Sequence, residues 1–145
     1  MKFETVSPRE AIGARLAHSV AGAGRRWRKG LDVTADVARA LTEAGVASLV
    51  VTRLEAGDVG EDEAARRIAE AMTGEGLRVE APFTGRCNLF ATQDGVLVVD
   101  EARIDAVNAV DEAVTVATLP AYAAVRASEM AATVKIIPFA APEAA

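Results

Sequence analysis

The chain has 145 residues, 51% hydrophobic and 26% charged, a composition that excludes a disordered chain and a fibrous repeat. A chain of this length buries about 68% of its unfolded surface, so its core needs neither a metal nor a disulfide; the single Cys87 has no internal partner, and one histidine with one cysteine makes no conventional zinc shell. The net charge of −5 is uneven, with nine basic and seven acidic groups in residues 1–60 and seven and fourteen in residues 61–145, which disfavours generic nucleic-acid binding.

Residues 1–9 are polar and lack the apolar centre of a signal peptide, and no apolar run approaches 18 residues, so a cytoplasmic protein is expected, away from membranes. Alanine fills 32 positions and arginine outnumbers lysine thirteen to three, a bias expected of a GC-rich genome, and it blurs the helix signal. The first clear element is a helix over 34–44, with Thr34 as N-cap, Val37, Leu41 and Ala44 at helical spacing, and Gly45 as the stop. A short β-branched run, VASLVVTR over 46–53, then predicts a buried strand. Asp58 or Gly60 opens a second helix whose first turn holds Glu61, Asp62 and Glu63, where the helix dipole favours anions. It ends at Thr73, and the Gly74-Glu75-Gly76 step predicts a hinge between an α/β subdomain, 1–75, and a β-rich subdomain, 76–145.

In the second half, strands are predicted over 77–80, 83–90, 96–99, 114–119, 123–126 and 133–137, with a turn at Gln93-Asp94-Gly95. One helix interrupts them over 101–110, with Asp100 as N-cap and Ile104, Val107 and Val110 as its buried stripe. The tail 140–145 reads as frayed. The expected fold is therefore α+β, with three main helices.

Arg25, Arg26, Arg28 and Lys29 surround Trp27, a pattern that suits a phosphate clamp or stacking on a base or pterin, and equally a solvated turn with Trp27 packed inward. The preceding Gly22-Ala23-Gly24 lacks the third glycine of a dinucleotide fingerprint. Gly57 to Gly60 opens onto a helix start already occupied by three carboxylates, which repel a phosphate. Thr84, Gly85, Arg86 and Asn88 bring donors into one small space and make a candidate contact surface. Cys87 beside Arg86 is either a reactive thiolate or an inert core thiol. His18 needs a carboxylate and an acceptor from elsewhere to act as a base, and Asp111 and Glu112, near Asn108, are the acids it would use.

The strings GRRWRKGLDVTADVARALTEAGVASLVVTRLEAGDVGEDEAA, APFTGRCNLFATQDGVLVVD, DEAVTVATLP and ATVKIIPFAAP, 83 of the 145 residues, resemble the N-terminal region of bacterial molybdopterin-binding proteins. In that family the region precedes a larger α/β domain related to molybdenum cofactor biosynthesis proteins, sometimes fused to a nucleotidyltransferase. The resemblance implies a leading part or a free-standing version of it. It implies an accessory role without activity of its own, no cofactor in this chain, molybdopterin in the full-length protein, and a partner in the downstream domain or a separate protein. No pterin-binding residue carries over, because no Gly/Ser-rich phosphate loop is present. The second half is also similar in rhythm to barrel-sandwich carrier domains, but its sole lysine, Lys135, lies in a strand and not on a hairpin tip. The alternatives are an enzyme using His18 with Asp111 and Glu112, and a small-molecule-binding barrel with its ligand at Thr84 to Asn88; homo-oligomerisation is left open.

Overall fold

The computed structural model describes residues 1–144, in which three helices and thirteen short strands form an α+β fold. Two compact units divide the chain, Met1–Ala56 and Gly57–Ala145.

In the first unit β1 (Lys2–Val6), β2 (Arg15–Leu16), β3 (Val20–Gly22), β4 (Arg25–Trp27), helix α1 (Ala35–Glu43) and β5 (Leu49–Arg53) follow in chain order. The β-branched run of β5 makes it the central strand, antiparallel to β1 on one side and to β2 on the other, with Val51 opposite both Glu4 and Leu16. Leu16, Trp27, Val33, Leu41, Leu49 and Val51 are its buried core. Helix α1 starts as expected, Thr34 Oγ1 accepting from the Val37 N–H at 3.3 Å. Its end is a Schellman turn: Gly45, at φ +75°, donates to Thr42 and Val46 donates to Leu41. That turn commits the Val46 N–H to the helix, so the strand begins at Leu49 and not at Val46.

The second unit runs β6 (Asp58–Gly60), α2 (Glu61–Met72), β7 (Leu77–Val79), β8 (Arg86–Ala91), β9 (Gly95–Val96), α3 (Glu101–Asn108), β10 (Val114–Thr118), β11 (Ala124–Val125), β12 (Met130–Ile136) and β13 (Ala140–Pro142). An antiparallel sheet in the order β10-β12-β8-β7 alternates cleanly: Cys87, Leu89, Val114, Val116, Val134 and Ile136 face the core, where Ala64, Ala65 and Ala69 of α2 meet them. Three alanines on one helical face let α2 approach β8 and β12 closely. This packing moves the division of the chain to Ala56/Gly57, well before the Gly74–Gly76 step, which is only the turn between α2 and β7.

Three further expectations give way. The sheet is open, with β10 and β7 as edges, and does not close into a barrel. Asp100 does cap α3, accepting from the Arg103 N–H at 3.1 Å, yet Ile104 and Val107 are only half buried and Val110, past the helix end, is exposed. The tail is not frayed over Ala140–Pro142, because β13 pairs antiparallel with β6 and buries Ala140 and Ala141; Ala145 lies outside the described residues.

Candidate functional site

The basic run of the first unit stands on a β-hairpin. Val20 pairs with Trp27, Ala21 with Arg26 and Gly22 with Arg25, and the connection is Ala23-Gly24 with φ +48° and +75°, the type I′ signature that matches strand twist. Gly22 is required here, since a Cβ would sit 3.1 Å from the Ala44 carbonyl oxygen at the end of α1. Trp27 is buried and its indole N–H has no hydrogen-bond partner, while the Arg25 guanidinium lies 5.1 Å from the ring centroid. Arg26 and Arg28 alternate onto the strand face opposite Trp27 and are exposed. None of Arg25, Arg26 and Arg28 has an acidic partner among the described residues, whereas Arg15, Arg39, Arg53, Arg66, Arg67 and Arg103 all do. The Lys29 N–H donates to Ser19 Oγ at 3.0 Å, tying the base of the hairpin to the segment that carries exposed His18.

The second unit takes the other nominated residues apart. Thr84 and Gly85, φ +48° and +72°, form another type I′ turn, closed by reciprocal hydrogen bonds between Phe83 and Arg86. Gly85 is structural: it is buried, donates to Asp62 Oδ1 at 2.7 Å, and a Cβ there would lie 2.7 Å from the Ile136 carbonyl oxygen. Arg86 and Asn88 project from the polar face of β8, where Asn88 Oδ1 accepts from Thr133 Oγ1 at 2.8 Å. Directly across from Arg86 is Lys135, and neither has an acidic partner among the described residues. Like charges opposed across a strand pair repel, and these two concentrate positive charge within a unit otherwise rich in acids. Lys135 and Thr133 were not nominated from sequence, because only the register between β8 and β12 brings them there.

Cys87 is buried, its Sγ donating to the Glu80 carbonyl at 3.2 Å, and burial pushes the thiol pKa up, as an inert core thiol requires. Asn108 is engaged by the backbone: its side-chain amide donates to the Val116 carbonyl at 3.0 Å and accepts from the Val116 N–H at 2.7 Å, acting as a neighbouring strand for edge strand β10. Asp111 Oδ1 accepts from the Ala113 N–H at 2.8 Å in the turn into β10, and Glu112 is exposed. His18 belongs to the first unit and Asp111 and Glu112 to the second. Among the described residues no group of three or more His, Cys, Asp or Glu side chains is disposed to hold a metal, and no helix is long and apolar enough to cross a membrane. Comparison with family models, with curated proteins and with solved structures found no match.

Proposed function

We propose that the chain is an accessory module of a bacterial, cytoplasmic molybdopterin-binding protein, serving molybdenum cofactor synthesis or delivery by contact and not by chemistry of its own. The observation that carries this reading is the hairpin of Arg25, Arg26 and Arg28, three guanidinium groups without acidic partners among the described residues, on a ribbon pinned by buried Trp27. Unpaired guanidinium groups recognise phosphate and carboxylate through paired N–H donors, and a pterin cofactor ends in a phosphate. Arg86 with Lys135 and Asn88 offers a second, smaller anion contact on the other unit.

Neither surface is a cradle. Both are open and lack the converging backbone N–H groups of a phosphate loop, so the module adds contacts to a cofactor or domain held elsewhere. Calorimetry tests this directly: molybdopterin titrated into the chain alone is expected to give no saturable binding, and the same chain joined to a molybdopterin-binding domain is expected to bind. Micromolar binding by the chain alone, abolished by Arg26→Ala or Arg86→Ala, would overturn the accessory reading in favour of a self-sufficient binding site.

A further inference from the structure

Helices α2 and α3 both lie on the apolar face of the four-stranded sheet. Between them is a cavity of about 560 Å³, floored by Leu89, Val116 and Ala132 and walled by Ile68 and Met72 of α2 and Val107 of α3. A second cavity of about 420 Å³ shares Met72, Leu77, Leu97 and Val98 with the first, so the two adjoin as one elongated channel lined in part by Gly95 and Val96 of β9. Each lies within the roughly 300–1,000 Å³ of small-molecule sites. The cover is loosely held: no side chain of α3 is fully buried, and its firm attachment is the Asn108 amide on Val116. At the rim Val98 and Val110 are 75% and 60% exposed, apolar surface left at the opening.

The lining states what fits. It holds no aromatic ring, so nothing selects a flat ligand by stacking, and its apolar side chains are aliphatic or methionine. Its only charged pair in the larger cavity, Asp100 and Arg103, is spent on itself, Arg103 Nε lying 3.1 Å from Asp100 Oδ2. Arg103 is the one basic side chain in either lining and it is already paired, and the unit carries fifteen acidic and seven basic residues, so a carboxylate or phosphate head group finds no free cation at the opening. We propose that this channel binds the aliphatic chain of an amphiphile with an uncharged head group, one chain per protein, with α3 as the element that yields to admit it.

The test is displacement of the neutral dye Nile red by straight-chain alcohols from hexanol upward, followed by fluorescence. Each added methylene is expected to tighten binding about fourfold, the equivalent of about 0.8 kcal/mol per buried methylene, until the channel is full and the gain stops. Decanoate is expected to bind at least tenfold more weakly than decanol. Ala71→Trp and Val110→Trp, both at exposed lining positions, each weaken decanol tenfold or more, while Ala102→Trp, exposed on α3 outside the lining, leaves it unchanged. Circular dichroism establishes that each variant is folded, and the alcohol series on the unaltered chain needs no variant. Absence of saturable displacement, a series that rises without limit, or decanol binding by the two lining variants as tight as by the unaltered chain overturns the proposal. Dimers whose dissociation is required for dye uptake would do the same, by showing that a second copy fills the channel.

Discussion

Asn108→Ala removes the two hydrogen bonds, 3.0 and 2.7 Å, by which α3 covers the outer edge of β10. Two such bonds contribute about 1–3 kcal/mol together. The substitution also places alanine in the last turn of a helix, a propensity gain of about 0.6 kcal/mol over asparagine. The loss wins, and a net destabilisation of about 0.5–2.5 kcal/mol is expected, read as a lower urea midpoint at unchanged slope. Hydrogen exchange locates the effect: the Val116 amide loses its protection and α3 exchanges faster, while β8 and β12 stay protected. Asn108→Asp separates the two bonds, since it keeps an acceptor for the Val116 N–H but sets carboxylate oxygen against the Val116 carbonyl. It should destabilise at least as much as alanine at neutral pH and less under acid, where the carboxyl can donate. An Asn108→Ala protein as stable as the parent, with Val116 still protected, refutes the reasoning that this amide holds the helix to the edge.

Ala23 adopts φ +48° at the first central position of the hairpin turn, where an L side chain costs about 1 kcal/mol; Ala23→Gly is therefore expected to raise the melting temperature by about 2–4 °C, and a lower value would show that the turn is not of this type. Native Cys87 should resist thiol reagents at pH 8 and react at once in urea, because it is buried and its pKa is raised; prompt labelling of the folded protein would contradict that burial. Hydrogen bonds from Arg66 and then Arg67 hold the Glu63 carboxyl at about 2, below its ordinary 4.5. A depressed carboxyl stabilises the fold above the unfolded value and loses that contribution as pH falls through the folded one, so the advantage of the parent over Glu63→Gln should be full above about pH 5, shrink between 4.5 and 2 and fade with added salt. An advantage independent of pH would exclude this charge network as its source.

What could be read from sequence follows the range of the interactions involved. The ends of α1 and α2 are local, written in Thr34, Gly45, the Glu61-Asp62-Glu63 turn and Thr73, and the structure places them within a residue or two. The strand KFETV at the N-terminus carries no strong signal of its own, and it becomes a strand because residues 49–53 offer it an edge some fifty positions away. A still longer separation, about eighty positions, hides the pairing of β13 with β6. Alanine-rich α2 was legible as a helix but not as the roof of the second sheet, because alanine faces a close-packed strand or solvent with equal ease, and so Gly74–Gly76 looked like a boundary. Of the nominated contact residues, Arg86 and Asn88 do share a surface, Gly85 serves the fold, and the partners that complete the surface, Thr133 and Lys135, depend on strand register. Trp27 packs inward as one of the two readings required, and its position makes the surrounding arginines a fixed display instead of a mobile loop.

The central claim is that the Arg25–Trp27 ribbon presents positive charge to an anionic partner, and charge reversal tests it most directly. Arg25→Glu, Arg26→Glu and Arg28→Glu, made together in the chain joined to a molybdopterin-binding domain, change exposed side chains and spare Val20, Trp27 and the buried indole. With molybdopterin titrated over a range of salt concentrations, the account predicts at least a tenfold weaker complex at low salt and a shallower salt dependence than the parent, since each lost phosphate contact removes its share of the screening effect. Equal affinity and equal salt dependence in the folded triple variant would contradict it.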